Sequence, residues 1–176
     1  MHVKGDSLKK PKMKLSERIV GELSQEGDAT RRTLERVPED KLSWKPHPKS
    51  MSLGQLAHHV AILPLAIADL VSEPVREIPA VPRPEAKSRQ ELLSTLAQSL
   101  QHATAKVQAW DDEGLETMIQ LTRNGQKLFE LPRYNMLRAI MLNHWFHHRG
   151  QLTVYLRLLD VPLPAIYGAS ADETAF

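Results

Sequence analysis

The chain contains no cysteine. That excludes disulfides, thiolate zinc sites and a cysteine nucleophile, and leaves His, Asp, Glu and Tyr for any metal chemistry. Aromatic residues are few, 5% of the 176 residues. Trp44, Trp110 and Trp145 have no basic stripe beside them and read as packing residues rather than stacking platforms. Neither sign of charge dominates, since 23 Lys and Arg against 21 Asp and Glu leave a net +2. Such a balance supplies no broad field to recruit nucleic acid, so none is expected as a partner. No run approaches the roughly 18 apolar residues of a membrane span, and no signal segment opens the chain. A soluble, cytoplasmic protein with no membrane partner is expected.

What the chain does have is helical periodicity broken by proline. Residues 1–14, with the basic run "KGDSLKKPKMK", read as a flexible, solvated N-terminal extension, and residues 15–176 as a single domain. A first helix is expected from about Ser16 to Arg36, with Ile19, Leu23, Thr30, Leu34 and Val37 on one face, stopping at Pro38. Pro46 and Pro48 make the following stretch a connector. Ser52 and Gln55 form a capping box that starts a second helix, which Pro64 should bend. "EPVREIPAVPRP", with prolines at 74, 79, 82 and 84, reads as an extended linker. A third helix starts at Ser88, with Glu91 as its box partner, and runs to Trp110. Met118, Leu121, Leu128 and Leu131 flank Asn124-Gly125, the signal for a short β-hairpin. A fourth helix runs from Pro132 or Asn135 to Asp160, followed by an irregular tail. The fold class expected is all-α, a four-helix bundle with two long connectors and a short hairpin before the last helix.

The stretch "NHWFHHRGQLTVYLRLLD" carries three histidines within five positions, 144 to 148. At about 100° per residue, each histidine can be placed against its helix's apolar stripe. On the second helix the stripe is Leu53, Leu56, Val60, Leu63, Ile67 and Leu70. His59 lies at its edge and turns inward, while His58 points almost to the opposite side. On the fourth helix Asn135, Arg138, Arg149, Thr153, Arg157 and Asp160 form a polar face. Opposite them lie Leu137, Ile140, Met141, His144, His148, Gln151, Tyr155 and Leu159. His144 is central there, and His147 and His148 flank it, so periodicity alone does not choose between the two. The pair His144/His148 projects only about 40° apart, the i,i+4 spacing of helical metal-binding histidines, and is preferred. Each buried neutral imidazole brings both a donor and an acceptor, and a shared cation satisfies three of them at once. "WFHHRG" lacks the glutamate of an HExxH zinc protease, which removes that mechanism. Gly150 would let another helix approach closely.

"LERVPEDKLSWKPHPKSMSLGQLAHHVA" and "LNHWFHHRGQLTVYLRLLDVPLPAIYGASADE" together resemble the DinB/YfiT-like superfamily of metalloenzymes, over about residues 15–173. The most specific parts are Leu56–His59, the "HHRGQL" block and the tail "PxxYGxSADE". The resemblance implies a four-helix bundle in up-down-down-up order. It also implies a metal site made of His59, His144 and His148, which decides for His148 over His147. Some relatives attach low-molecular-weight thiols or use them in isomerisation. Asp172 and Glu173 are read as finishing an exposed tail rather than returning to the site.

The functional expectation is a metal-dependent enzyme. A divalent ion, zinc or nickel, held by three neutral histidines would act on a small molecule by hydrolysis or thiol transfer. Gln151 and Tyr155 are the candidate orienting groups. The competing expectation is a non-catalytic, metal-stabilised dimeric bundle with a closed site. A homodimer is expected because Ile62 and Leu65 lie off the main stripe of the second helix.

Overall fold

The computed structural model describes residues 13–80 and 83–174. The expected N-terminal extension therefore lies outside the described residues, apart from Met13 and Lys14. Three long helices come first in the order α1 (Leu15–Leu34), α2 (Leu53–Leu70) and α3 (Arg89–Gln108), with strand β1 (Val75–Glu77) between α2 and α3. A short helix α4 (Asp112–Glu116) leads into β2 (Met118–Arg123) and β3 (Gln126–Pro132). The last helical region has three sections: α5 (Arg133–Met136), a π-helical stretch Leu137–Asn143, and α6 (His144–Leu158). α2 packs against both α3 and α6, and α1 against α3.

The helix starts follow their caps. Ser52 accepts from Gln55 N–H while the Gln55 side chain reaches back, completing the capping box of α2. Ser88 caps α3 by accepting from Glu91 N–H at 3.1 Å, but Glu91 reaches the Lys87 N–H instead of closing the box. α2 has the length and mean hydropathy, 1.3 over 18 residues, of a membrane span, and 56% of that window is buried inside the protein. Two histidines and Asp69 interrupt its run of apolar residues.

The expectation of an all-α fold with only a short hairpin needs correction. The protein is mostly helical, with a small mixed sheet in the order β1-β2-β3. The β2–β3 hairpin turns at Asn124 and Gly125, both with positive φ (52° and 74°), as a type I′ turn requires. β1 falls in the expected linker, where Pro74 and Pro79 hold the backbone extended. It pairs parallel to β2, Arg76 opposite Leu121. The Glu77 carboxylate at its end accepts from Thr122 Oγ1 at 2.5 Å and from the turn amides of Asn124 and Gly125. Three exposed residues with no apolar alternation give no strand signal, and the pairing becomes visible only in three dimensions.

The tail also departs from expectation. It has no regular structure, yet it is fastened down. Glu173 pairs with Arg36 and accepts from Ala165 N–H at 3.0 Å, and Asp172 pairs with Arg157 and accepts from Leu163 N–H at 2.8 Å. These carboxylates neither reach the histidines nor end a loose tail; they clasp residues 161–174 to α1 and α6. The second fastening is inside. Arg149, placed on the polar face by periodicity, is 2% exposed and meets Glu26, 5% exposed, at 2.6 Å. The Tyr167 hydroxyl joins both of them, donating to Glu26 at 2.8 Å.

Candidate metal centre

Proline 64 organises the helices around the site. Lacking an N–H, it leaves the Val60 carbonyl without its helical partner. The buried Trp145 supplies the missing donor from α6, its Nε1–H reaching that carbonyl at 2.8 Å. One residue on, the Leu65 N–H donates to Ser99 Oγ of α3 at 2.9 Å. The hydrogen-bonding vacancy at Pro64, which lies inside an uninterrupted α2, thus pins α2 to α6 beside His59 and His144. Trp145 is a core residue, as expected. Trp110 lies under the Arg133 guanidinium, 4.6 Å from its ring, and Trp44 packs edge-on against Tyr155 at 5.8 Å.

The π-helical stretch sets which way α6 faces. A π turn bonds i to i+5 and so takes in about one residue more than an α turn. Within it Leu137, Met141 and Leu142 are buried, so the buried line shifts by one residue at Met141–Leu142 and continues along α6 at Trp145, Arg149, Leu152 and Leu156. The face assigned by constant 100° steps is therefore rotated out of the core. His144 and His148 are half-buried on its flank, and Gln151 and His147 are exposed.

On that flank the structure brings three histidines together. One ligand-capable nitrogen from each of His59, His144 and His148 lies within 4.8 Å of the others. The ring centroids of His59 lie 5.5 Å from those of His144 and 4.6 Å from those of His148. His148 Nδ1 donates to Gln151 Oε1 at 2.7 Å, and the His144 ring donates to the Ile140 carbonyl. The two Nε2 atoms face each other at 2.7 Å, so at most one of them carries a hydrogen. The His59 ring has no hydrogen-bond partner among the described residues. A proton between the rings is disfavoured: burial, then the positive potential of neighbouring imidazoles and Arg83, lowers the pKa of His59 to about 4. Burial likewise depresses His144 and His148. Neutral, converging lone pairs of this kind are the donor set of a divalent cation, so the residues fit a metal.

The other sequence candidates fall as follows. Gln151, an expected orienting group, has its Oε1 at 2.7 Å from His148 Nδ1. Tyr155 does not line the cavity beside the histidines; its hydroxyl lies 3.4 Å from the Met51 carbonyl. His147 stands outside the cluster. His58, expected to point away, instead lines the same cavity as His59 because residues 78–80 and 83–84 cross over that side of α2. The cavity measures about 490 Å³ and opens beside His59 and His144. Ile62, expected on an outer surface, lines it too. Gly150 has no heavy atom of the described residues within 4 Å of where a Cβ would stand, so no described helix approaches it. Sequence reasoning missed Arg133, a buried cation that donates to the Val71 and Ser72 carbonyls at the end of α2, at 2.9 and 3.2 Å. A lone arginine after a proline carries no signal for this.

A mostly helical protein with three histidines gathered beside an apolar cavity is the class defined by this fold and site. The chain belongs to the DinB family, whose family model matches residues 7–175. It is 29% identical over 154 residues to the uncharacterized protein YrdA of Bacillus subtilis, covering 85% of this chain and 86% of YrdA. It is 28% identical to YjoA of the same organism, covering 81% of this chain and 89% of YjoA. Among solved structures, a DinB-like protein from Bacillus cereus superposes with a TM-score of 0.66 at 23% identity, over 86% of this chain and 97% of that one. YjoA itself superposes with a TM-score of 0.64 at 22% identity, over 84% and 96%. At these identities the superpositions establish the fold.

Proposed function

We propose that this protein is a metal-dependent enzyme in which His59, His144 and His148 hold one divalent cation, zinc or nickel, on a four-helix bundle of up-down-down-up order. It acts on a small molecule by hydrolysis or by transfer involving a low-molecular-weight thiol. The observation that carries this reading is the pair of Nε2 atoms facing each other at 2.7 Å, with His148 Nδ1 already hydrogen-bonded to Gln151, beside His59, whose ring has no hydrogen-bond partner among the described residues. When bound, a divalent cation supplies a Lewis acid that lowers the pKa of a water or thiol next to it. Three neutral ligands leave its charge undiminished. Gln151 holds His148 in the tautomer that presents Nε2, and the Ile140 carbonyl does the same for His144. The half-buried rings and apolar walls exclude bulk water from one side of the reacting centre.

The alternative, a closed site in a purely structural dimer, calls for a fourth protein ligand. The histidine cluster among the described residues has three members and adjoins a cavity, which favours the open, reactive reading. We keep the homodimer and a cytoplasmic setting as parts of the proposal; light scattering at twice the chain mass of 19.9 kDa would support the former. The test of function is a screen of the metal-loaded protein for ester or amide hydrolysis and for thiol transfer. Turnover that vanishes in His144→Ala and survives in His147→Ala is expected. Turnover undiminished in His144→Ala contradicts the proposal.

A further inference from the structure

The cavity beside the histidines is built from two unlike parts. Its wall is apolar, with Leu63 and Ile67 from α2, Ile78 after β1, Leu121 and Phe129 from the sheet, and Ile140 from the π-helical stretch. Water gains little from such a wall, and an apolar ligand body gains by leaving solvent for it. At its edge stands one permanent cation, Arg83. Gln55 fixes the backbone there, its Nε2 donating to the Arg83 carbonyl at 3.1 Å while its Oε1 accepts from Ser52 N–H at 3.0 Å. The guanidinium is near enough to the site for its charge to be felt at His59 and His148.

Nothing acidic balances that charge. No Asp or Glu lines the cavity, and Arg83 joins no ion pair among the described residues. Three neutral histidines would leave the charge of a bound cation uncompensated in the same space. Arg83 is itself exposed, so its outer side is screened by solvent, while the apolar walls reduce screening on the side that faces the cavity.

We infer that the site takes a substrate with an apolar body and a single anionic group, the body filling the cavity and the anion held by Arg83. The volume of about 490 Å³ has room for roughly 16 groups of methylene or water size, at about 30 Å³ each. This deepens the metal-dependent reading and rests on it for the reacting end of the substrate. Seating of the body and the anion needs only the wall and Arg83.

Calorimetric titration of the full chain with octanoate, octanamide and acetate, with and without zinc, tests it. Octanamide keeps the body and removes the charge; acetate keeps the charge and removes the body. Octanoate is expected to bind at least tenfold more tightly than either. Arg83→Gln should erase the advantage over octanamide while leaving octanamide unchanged. Ala66→Trp, filling the cavity from an exposed position, should weaken octanoate and octanamide alike, with circular dichroism melts confirming both variants folded. Octanoate binding no tighter than octanamide, or indifferent to Arg83→Gln or to Ala66→Trp, overturns the inference. A preference for octanoate that persists without zinc, in a protein that fails to bind zinc, upholds it while removing the metal reading.

Discussion

His59, facing two other imidazoles from α2, illustrates what burial does at the scale of one residue. Its pKa falls to about 4 because the charged ring would lose solvent and meet the positive potential of its neighbours. Above the free imidazole value of about 6.5 both folded and unfolded rings are neutral, and the shift contributes nothing to stability. As pH falls below it, the unfolded chain takes up a proton that the folded ring refuses, so the metal-free protein loses stability between about 6.5 and 4. His144 and His148 act in the same direction. Melting temperatures across that window should decline for the wild type and decline less for His59→Ala. Free imidazole values alone place proton competition with the metal near pH 6.5 and predict stabilisation much reduced near pH 5. The buried rings move that competition lower, so added zinc should still raise the melting temperature at pH 6 and fail to do so near pH 4. The clustering of these rings was legible because i,i+4 spacing and the family motif both pointed to His144 and His148. Their service as ligands belongs to the proposal.

At the scale of the element, two features decide how α2 and α6 meet. Pro64 removes a donor and Trp145 replaces it, so the proline and the indole are one device. Trp145→Phe should leave the Val60 carbonyl unpaired in the core, costing about 1–3 kcal/mol beyond the small change in packing. In a Pro64→Ala background, which restores a helical N–H, the same substitution should cost less; urea denaturation of the four proteins measures the coupling. Equal costs in both backgrounds would show that the indole bond does not answer the proline. The second feature, the π-helical stretch, marks where reading the sequence failed. Constant 100° steps carried the face of Leu137 and Met141 onto His144, His148, Gln151 and Tyr155. The wider turn instead hands the core to Trp145, Arg149, Leu152 and Leu156. Arg149 was therefore misassigned to solvent, and the histidines came to border a cavity rather than fill a core. No local propensity announces a π turn. Gly150, on the outer side of α6, has open space where a Cβ would go. Gly150→Ala should stabilise the chain by about 0.5–1 kcal/mol through helix propensity, measured as a shift in the urea midpoint. Destabilisation would place a second copy of the chain against that face.

Across the whole molecule, the long helices and the hairpin were legible because each has its own periodicity, cap or turn signal. The β1–β2 pairing and the clasped tail were not, since both depend on partners far away in the chain: Glu77 on the turn at Asn124, and Glu173 on Arg36. His59 and His144 are likewise far apart in the chain, and there the family motif supplied what local pattern could not. The account rests on those distant residues forming one metal site. The most direct test is a zinc titration of untagged, metal-stripped protein, with stoichiometry by calorimetry and melting temperature followed in parallel. One equivalent per chain is expected for the wild type and for His147→Ala, with the stabilisation lost in His59→Ala, His144→Ala and His148→Ala alike. Undiminished zinc binding in those three variants, or its loss in His147→Ala as well, would contradict it.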